Sequence, residues 1–443
     1  MVKEVWGSQL KLTVNDIQRG ELEFGMRWII LLFMFFGIMI NFADKSIIGF
    51  AAEPIMKEFN LSYSQWGIVG SSFFWLFSIA SVIGGAWSDR IGTKKALSIL
   101  LLSWTVIQFG AFAISGLPLL IIYRILLGIG EGPHGAISMS QLSKWFDPKS
   151  RGLALSIFNG GALVGAVILA PVFVVLIEGL GWRGAIASTG ILSFVWAVLW
   201  MWLGKERPEK VEWDEPISTH SKFKWSEVSS IIFSRSCLLT LFIGFAAFGG
   251  FAWTSVFQPL YFGQILELTN KQIGLASVAV GIGGVIISIF INRFSDYLYK
   301  KSQSYFISRV VVGGTSLFVA ALCFFLATIV QSKLVILGIF ILSAGCIATI
   351  VSIVPLIMIK LFPTRRGFGI SLGTSFQNLS GIIGPIVIGL LINLGGSDKV
   401  LGFNYALFYV GGLMFIAGLL FIIFCRPDKS AEEAHPIDDA ISI

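Results

Sequence analysis

The sequence predicts an all-α membrane protein, with twelve transmembrane helices in two pseudo-symmetric six-helix bundles. Three observations carry this reading. The 443 residues are 55% hydrophobic and only 13% charged, against about 25% charged in a soluble domain. A soluble core of this length has nowhere to hide so much apolar surface, whereas a bilayer does. Apolar runs of the length needed to cross the hydrocarbon core, about 20 residues, recur along the chain. Two loop blocks also repeat each other half a chain apart.

The runs place spans at 28–50, 66–87, 96–115, 119–141, 152–177, 183–203, 237–261, 272–292, 308–329, 333–358, 368–392 and 402–424. Several are rich in Gly, which lets helices approach closely. The first run is too long for a signal peptide and lacks a small-residue cleavage site, so it is expected to be retained. The organisation is then a cytoplasmic N-terminal tail (1–27), a first bundle (28–203), a linker (204–236) with Pro208 and Pro216, a second bundle (237–424) and a cytoplasmic C-terminal tail (425–443). Within the linker, KWSEVSSIIFSR reads equally as a short interfacial helix or as a solvated connection.

A net charge of +7 would suggest nucleic acid in a soluble protein. Here the charge sits in loops, and no nucleic-acid partner is expected. Arg90, Lys94, Lys95, Lys144, Arg151, Lys205, Arg293 and Arg309 fall in loops on the same side as both termini. The opposite loops hold only Lys57, Arg183, Lys271, Lys333 and Lys399. The positive-inside rule puts the first set in the cytoplasm, which makes this a multi-pass protein of the cell (plasma or inner) membrane. Cys237, Cys323, Cys346 and Cys425 fall in or at apolar segments without metal or redox spacing and read as free buried thiols. No metal or cofactor is expected.

The halves echo each other. Lys144-Trp145-Phe146 is followed by Pro148, Arg151, Gly152 and Ser156; Lys360-Leu361-Phe362 is followed by Pro363, Arg366, Gly367 and Ser371. Such repeats mark secondary transporters, whose substrate site lies between the halves.

Few charges lie well inside the spans: Asp44, Lys45, Arg124 and Glu131. Each costs at least about 2.5 kcal/mol near a helix centre, and such residues face the interior or a watery path. Depth counting sets Asp44 and Lys45 level with Arg124. Glu131 shares the face of Arg124 nearly two turns away, about 10 Å deeper, and Asn41 lies one turn below Asp44 and Lys45. Interhelical salt bridges locking helices one and four are the alternative. Aligning the repeat sets Arg124 opposite Ile339 and Glu131 opposite Cys346, so the second half lacks counterparts, which favours function over scaffold. The guanidinium fork suits a carboxylate, and Lys offers a point charge, so Arg124 and Lys45 are the anion-binding candidates. Burial favours a carboxyl group's neutral form and a neighbouring cation its charged form, so Asp44 and Glu131 are candidates to carry protons inward. His134, three residues after Glu131, reads as a proton relay or as a packing histidine.

Gly84 to Lys95, GGAWSDRIGTKK, resembles the loop signature between helices two and three of the major facilitator superfamily. Arg124 to Gly132, RILLGIGEG, resembles its fourth-helix motif. A narrower resemblance runs through Asn41-Phe42-Ala43-Asp44-Lys45, Ala52, Pro54, Ile55, Glu58, Leu61, Gln65 and Gly67, then Arg124 with Glu131, then Asn378-x-x-Gly381-x-x-Gly384-Pro385. In these the chain is similar to the anion:cation symporter family over nearly its whole length. The resemblance implies symport of a small organic anion, such as a sugar acid or other carboxylate, with Asp44 and Glu131 as the proton-coupling pair. It also implies a cytoplasmic gate of Gly85, Asp89, Arg90 and Arg151, in which Asp89 pairs with Arg151 and caps the eleventh helix when the path faces outward. The departures are Lys45 for the family's Arg, Phe77 and Ser81 for its second-helix Tyr and Gln, and Ile83 for its Pro. These imply a less polar pocket wall.

The eleventh helix carries Ser371, Thr374, Ser375, Gln377, Asn378 and Ser380. Some must face a cavity, because polar groups facing lipid are costly; Asn378 and then Ser375 are the first candidates. Substrate contacts are thus expected from Lys45, Arg124, Asn41, Phe77, Asn159, Ser375 and Asn378, with proton coupling from Asp44, Glu131 and His134. Trp253, Gln258 and Tyr261 are weaker candidates. The coupling ion is read as a proton, with sodium left open, and the protein as a monomer in the lipid bilayer. Proton-driven efflux of a drug or metabolite and a membrane sensor on a transporter fold are the rival readings. An enzyme is not expected, since the sequence offers no nucleophile–base set, metal cluster or phosphate-cradling loop.

Overall fold

A computed structural model of the chain describes residues 2–147, 150–206, 225–363 and 365–428, apart from the side chains before residue 25, those of 225–227 and that of Arg366. Every element in it is helical. Among the described residues eleven helices are long and apolar enough to cross a membrane: Gly25–Phe50, Tyr63–Ile91, Thr93–Ala113, Arg151–Ile168, Ala170–Leu203, Arg235–Val256, Asn270–Ser302, Phe306–Leu326, Lys333–Leu361, Gly367–Leu394 and Lys399–Phe424. One further crossing comes from two shorter helices, Leu117–Glu131 and His134–Trp145. These twelve crossings are numbered here in chain order as spans.

The departures from a uniform run of helices have local causes. Proline has no N–H and its ring clashes with the preceding turn, so the fourth span, expected over 119–141 with a local distortion at Pro133, breaks at Gly132 and Pro133. The stretch Ala170–Leu203 is two helices meeting at a kink at Gly181, so the fifth span runs on to residue 180 and the sixth starts after the kink; the φ of 69° at Gly181 is a conformation that only glycine adopts without strain. The second span starts at a capping box between Ser62 and Gln65. It is interrupted over residues 73–76 before resuming at Phe77. In the linker, Trp225–Ile232 forms a short helix.

The two interruptions are packed on each other. A Cβ on Gly128 would come within 2.0 Å of the Phe73 carbonyl oxygen, and one on Gly132 within 2.4 Å of that of Phe77. Only hydrogen fits at these two positions, four residues apart on one helix face. The fourth span therefore lies directly against the broken stretch of the second.

The halves meet away from the basic loops. The second span packs on the eleventh so closely that a Cβ on Gly67 would lie 2.2 Å from the Pro385 carbonyl oxygen. Trp66 Nε1 donates to the Val256 carbonyl at 3.2 Å, Tyr63 donates to Gln264 Oε1, and Asn270 Nδ2 donates to Glu178 Oε1 at 2.8 Å. Nearer the middle, Asn378 Nδ2 donates to Ser78 Oγ at 3.2 Å. These hydrogen bonds between the halves lie on the face opposite the basic loops or near the middle of the seam.

At the basic end of the first half, Glu206 stands just past the sixth span. Its carboxylate accepts from the backbone N–H of Thr93 at 2.9 Å and of Lys94 at 2.7 Å, from the Thr93 hydroxyl, and from Lys144 Nζ at 2.5 Å. The third span begins after Gly92, which has no side chain to cap its first amides, and Glu206 takes that role. Burial pushes this carboxyl up, but the Lys144 ammonium and the two amides outweigh it and hold Glu206 at about 2. Its stabilising effect is complete above the usual carboxylate range and is lost as pH falls through about 2. Glu206→Ala should cost about 1 kcal/mol, the scale of a lost helix cap. It should also flatten the acid limb of a melting-temperature profile in detergent.

Candidate functional site

In a helix, long side chains point back toward the N-terminus. Lys45 does so. Its Nζ donates to Asn41 Oδ1, one turn back, at 2.5 Å. At that level lies Glu131, the last helical residue before the fourth span breaks. Lys45 Nζ is 3.8 Å from Glu131 Oε2, and Asn41 Nδ2 donates to the Glu131 carbonyl at 3.5 Å. Three rings complete the surroundings of the ammonium, with centroids 4.5 Å away for Phe42, 4.9 Å for Phe77 and 5.6 Å for Phe73. Cations are attracted to ring faces at such distances. Lys45 is 14% exposed and Glu131 fully buried, so the lysine is the more accessible member of this pair.

Asp44 goes elsewhere. Adjacent residues on a helix do not face each other. The Asp44 carboxylate lies instead beside Thr189 of the sixth span and Gln108 of the third, and Gln108 Oε1 accepts from the Tyr123 hydroxyl. Arg124 is buried with its guanidinium 4.7 Å from the Phe73 ring centre. Neither Asp44 oxygen has a protein hydrogen-bond partner, nor has Arg124 Nε or Nη1. Both Glu131 carboxylate oxygens likewise accept no hydrogen bond. Buried charges so incompletely paired are costly, and groups held this way are suited to bind a proton or an ion. Depth counting from Cα positions set Lys45 level with Arg124 and away from Glu131; the reach of the lysine side chain brings it to Glu131 instead.

The remaining candidates are distributed along the seam, inside the first half and at the basic end. Phe77 faces Lys45. Asn378 bridges the halves through Ser78, and Ser375, three residues earlier on the same helix, is exposed, as is Asn159 on the fifth span. His134 is fully buried in the first half. It sits between Trp104, whose ring centre is 5.1 Å away, and Gly37, with Ser138 Oγ 3.3 Å from its Nε2. Asp89 and Arg90 are exposed at the basic end, and no ion pair links Asp89 to Arg151, which donates to the Ser143 carbonyl at 2.9 Å. Gly85 has open space around it. Trp253 and Tyr261 pack with Phe340 and Phe403 inside the second half. Among the described residues no set of three or more His, Cys, Asp and Glu could hold a metal ion.

The profile described as Major Facilitator Superfamily matches this sequence over residues 34–308 and 260–439. The chain belongs to the major facilitator superfamily. It is 30% identical over 422 residues to the hexuronate transporter of Bacillus subtilis (strain 168), covering 90% of this chain and 94% of that one. It is 28% identical to a probable sulfoacetate transporter of Cupriavidus necator (91% and 97% covered) and 25% identical to a probable galactarate/D-glucarate transporter of Escherichia coli K12 (93% and 97%). Within the superfamily it is thus an anion:cation symporter-like member, and a transporter rather than an enzyme. Its fold is similar to that of a bacterial homologue of the human lysosomal transporter Spinster, with a TM-score of 0.75 at 16% identity and 92% and 98% coverage. It is likewise similar to a D-xylose–proton symporter, with a TM-score of 0.72 at 17% identity and 90% and 98% coverage.

Sequence reasoning missed several residues of this superfamily member's centre: Phe42 and Phe73 beside the ammonium, Gln108 and Thr189 beside Asp44, and Ser78 opposite Asn378. The interruption at 73–76 contains neither Gly nor Pro, so no local signal announced it. The Lys45–Glu131 pair gives a direct test. Lys45→Ala leaves a buried carboxylate without its cation, whereas Lys45→Ala with Glu131→Gln removes the charge as well. The single variant should melt well below the wild type and the double variant should recover part of the loss. The coupling from the four-protein cycle should exceed about 0.5 kcal/mol, the limit of simple additivity.

Proposed function

We propose that this protein is a proton-coupled symporter that takes up a small organic anion, a sugar acid or other carboxylate, across the cell membrane by alternating access. The observation that carries the reading is the Lys45 ammonium, held at once by Asn41 and Glu131 on a side chain that stays partly exposed. The named cargoes of the relatives, hexuronate, sulfoacetate and galactarate/D-glucarate, support an anion. The basic face is taken as cytoplasmic, and the bundles 28–203 and 237–424 as the two moving bodies of a monomer.

In the proposed cycle the path first opens on the face opposite the basic loops. A proton on Glu131 removes its charge and frees Lys45, and the anion binds Lys45 with Arg124 behind it. Asn41 and Phe77 flank this place in the first half; Asn159, Ser375 and Asn378 offer contacts from the fifth and eleventh spans. The halves then rock, the contacts from Trp66, Tyr63 and Asn270 close the outer side, and the cytoplasmic mouth opens. When the proton leaves, Glu131 reclaims Lys45 and the anion departs. Asp44, beside Gln108 and Thr189, is the second protonation site, and His134 is the relay. With the mouth open, Asp89 and Arg151 are apart; their pairing, with Gly85 and Arg90 beside them, would close it in the outward-facing state.

The test is transport in proteoliposomes with radiolabelled carboxylates. Lys45→Ala and Arg124→Ala should abolish uptake. Asp44→Asn and Glu131→Gln should retain counterflow exchange and lose accumulation driven by a pH gradient. Accumulation that survives both substitutions unchanged would exclude these carboxyls as the coupling groups.

A further inference from the structure

We propose that this transporter prefers a carboxylate with a flat apolar body, such as an aryl acid, over a polyhydroxylated one, and that Phe42, Phe74, Phe77 and Phe248 set that preference. The proposal rests on Lys45 being the anion's partner.

A carboxylate that reaches Lys45 arrives among Phe42, Phe73 and Phe77. From there the rings continue. Phe73 and Phe77 lie 5.1 and 6.1 Å from Phe74, and Phe74 meets Phe248 of the seventh span edge-on at 5.9 Å. Phe248 leads to Phe251 at 5.0 Å, and Phe245, one turn back, meets Phe376 of the eleventh span at 6.2 Å. A strip of phenyl groups therefore runs from the charged centre in the first half to the wall of the second. Phe42, Phe74, Phe77 and Phe248 are each half-buried and Phe376 is exposed, so the strip has surface to offer. Ring centres 4.5–7 Å apart in offset or edge-on arrangement are the favoured aromatic geometry. A flat ligand body can extend the series.

Two amides of the same region, Asn41 and Asn378, are already engaged. Asn41 serves Lys45 and Glu131, Asn378 serves Ser78, and Gln377 is buried against Gly244. Each hydroxyl of a sugar acid would have to find a partner here or lose its water uncompensated, and a site discriminates strongly on such unmet hydrogen bonds. An aryl acid makes no such demand. The charge end is common to both classes, so the rings and not Lys45 decide between them.

The full-length protein in detergent would be melted with benzoate, phenylacetate and glucuronate, and the same three would compete in proteoliposome uptake. The aryl acids should raise the melting temperature and half-inhibit at concentrations at least tenfold below glucuronate. Phe77→Tyr, which keeps the ring and adds a hydroxyl, should cut that ratio several-fold, and Phe248→Tyr gives a second reading if the first folds poorly. Glucuronate binding that equals or exceeds that of the aryl acids and requires Lys45 would overturn this preference alone. A ratio unmoved by both Tyr variants would overturn the role of the rings. Binding of neither class, or binding indifferent to Lys45→Ala, would overturn the anion reading itself and this proposal with it.

Discussion

A lysine ammonium inside an apolar slab is stable only if its surroundings replace what water gave it. At Lys45 this is done by one amide oxygen, one buried carboxylate and three phenyl faces. Much of the first half is arranged around that requirement. The fourth span ends its first helix at Glu131 so that the carboxylate stands where Lys45 reaches. The second span loses its helical course just where its rings approach the ammonium. The two interruptions are kept in register by Gly128 and Gly132, positions with no room for a side chain. Because the pair is loose, at 3.8 Å, and the Glu131 oxygens accept no hydrogen bond, the arrangement holds the charges without spending every donor and acceptor on each other.

The seam between the halves follows a different logic. Much of its closeness comes from backbone meeting backbone, as at Gly67 and Pro385. Its polar contacts on the face opposite the basic loops, from Trp66, Tyr63 and Asn270, are single hydrogen bonds, each worth about 0.5–1.5 kcal/mol net. An interface built this way packs well yet separates without breaking a large ionic network, which suits the rocking proposed above. The ionic clusters lie elsewhere. Glu206 with Lys144 ties helix ends inside the first half, and Arg309 with Asp296, at 2.6 Å, does so inside the second. Each half is stiffened internally while the seam stays light.

Much of the fold was legible in the sequence, because a membrane span leaves a signal about 20 residues long that little else produces. Pro133 announced a distortion in the fourth span, while nothing in Phe73-Phe74-Trp75-Leu76 announced the one in the second, which tertiary packing against Gly128 and Gly132 imposes. The charged residues of the centre were legible because each is expensive in lipid. Their pairing was not. Counting depth along helices locates Cα atoms, and a lysine side chain moves its charge by a full turn; Asp44 and Lys45, neighbours in sequence, point to different helices. The aromatic strip was invisible for the opposite reason. In a chain with 39 Phe, no single ring stands out until the fold brings eight of them together.

The central claim is that the anion and Glu131 compete for Lys45. The most direct measurement is the proton count on binding, taken with purified protein in weakly buffered detergent while a transported carboxylate is added near neutral pH. The account predicts net proton uptake approaching one per anion bound, because Glu131 gives up its cation and takes a proton instead, and none in Glu131→Gln. Saturable binding of the anion with no proton uptake near neutral pH would contradict it.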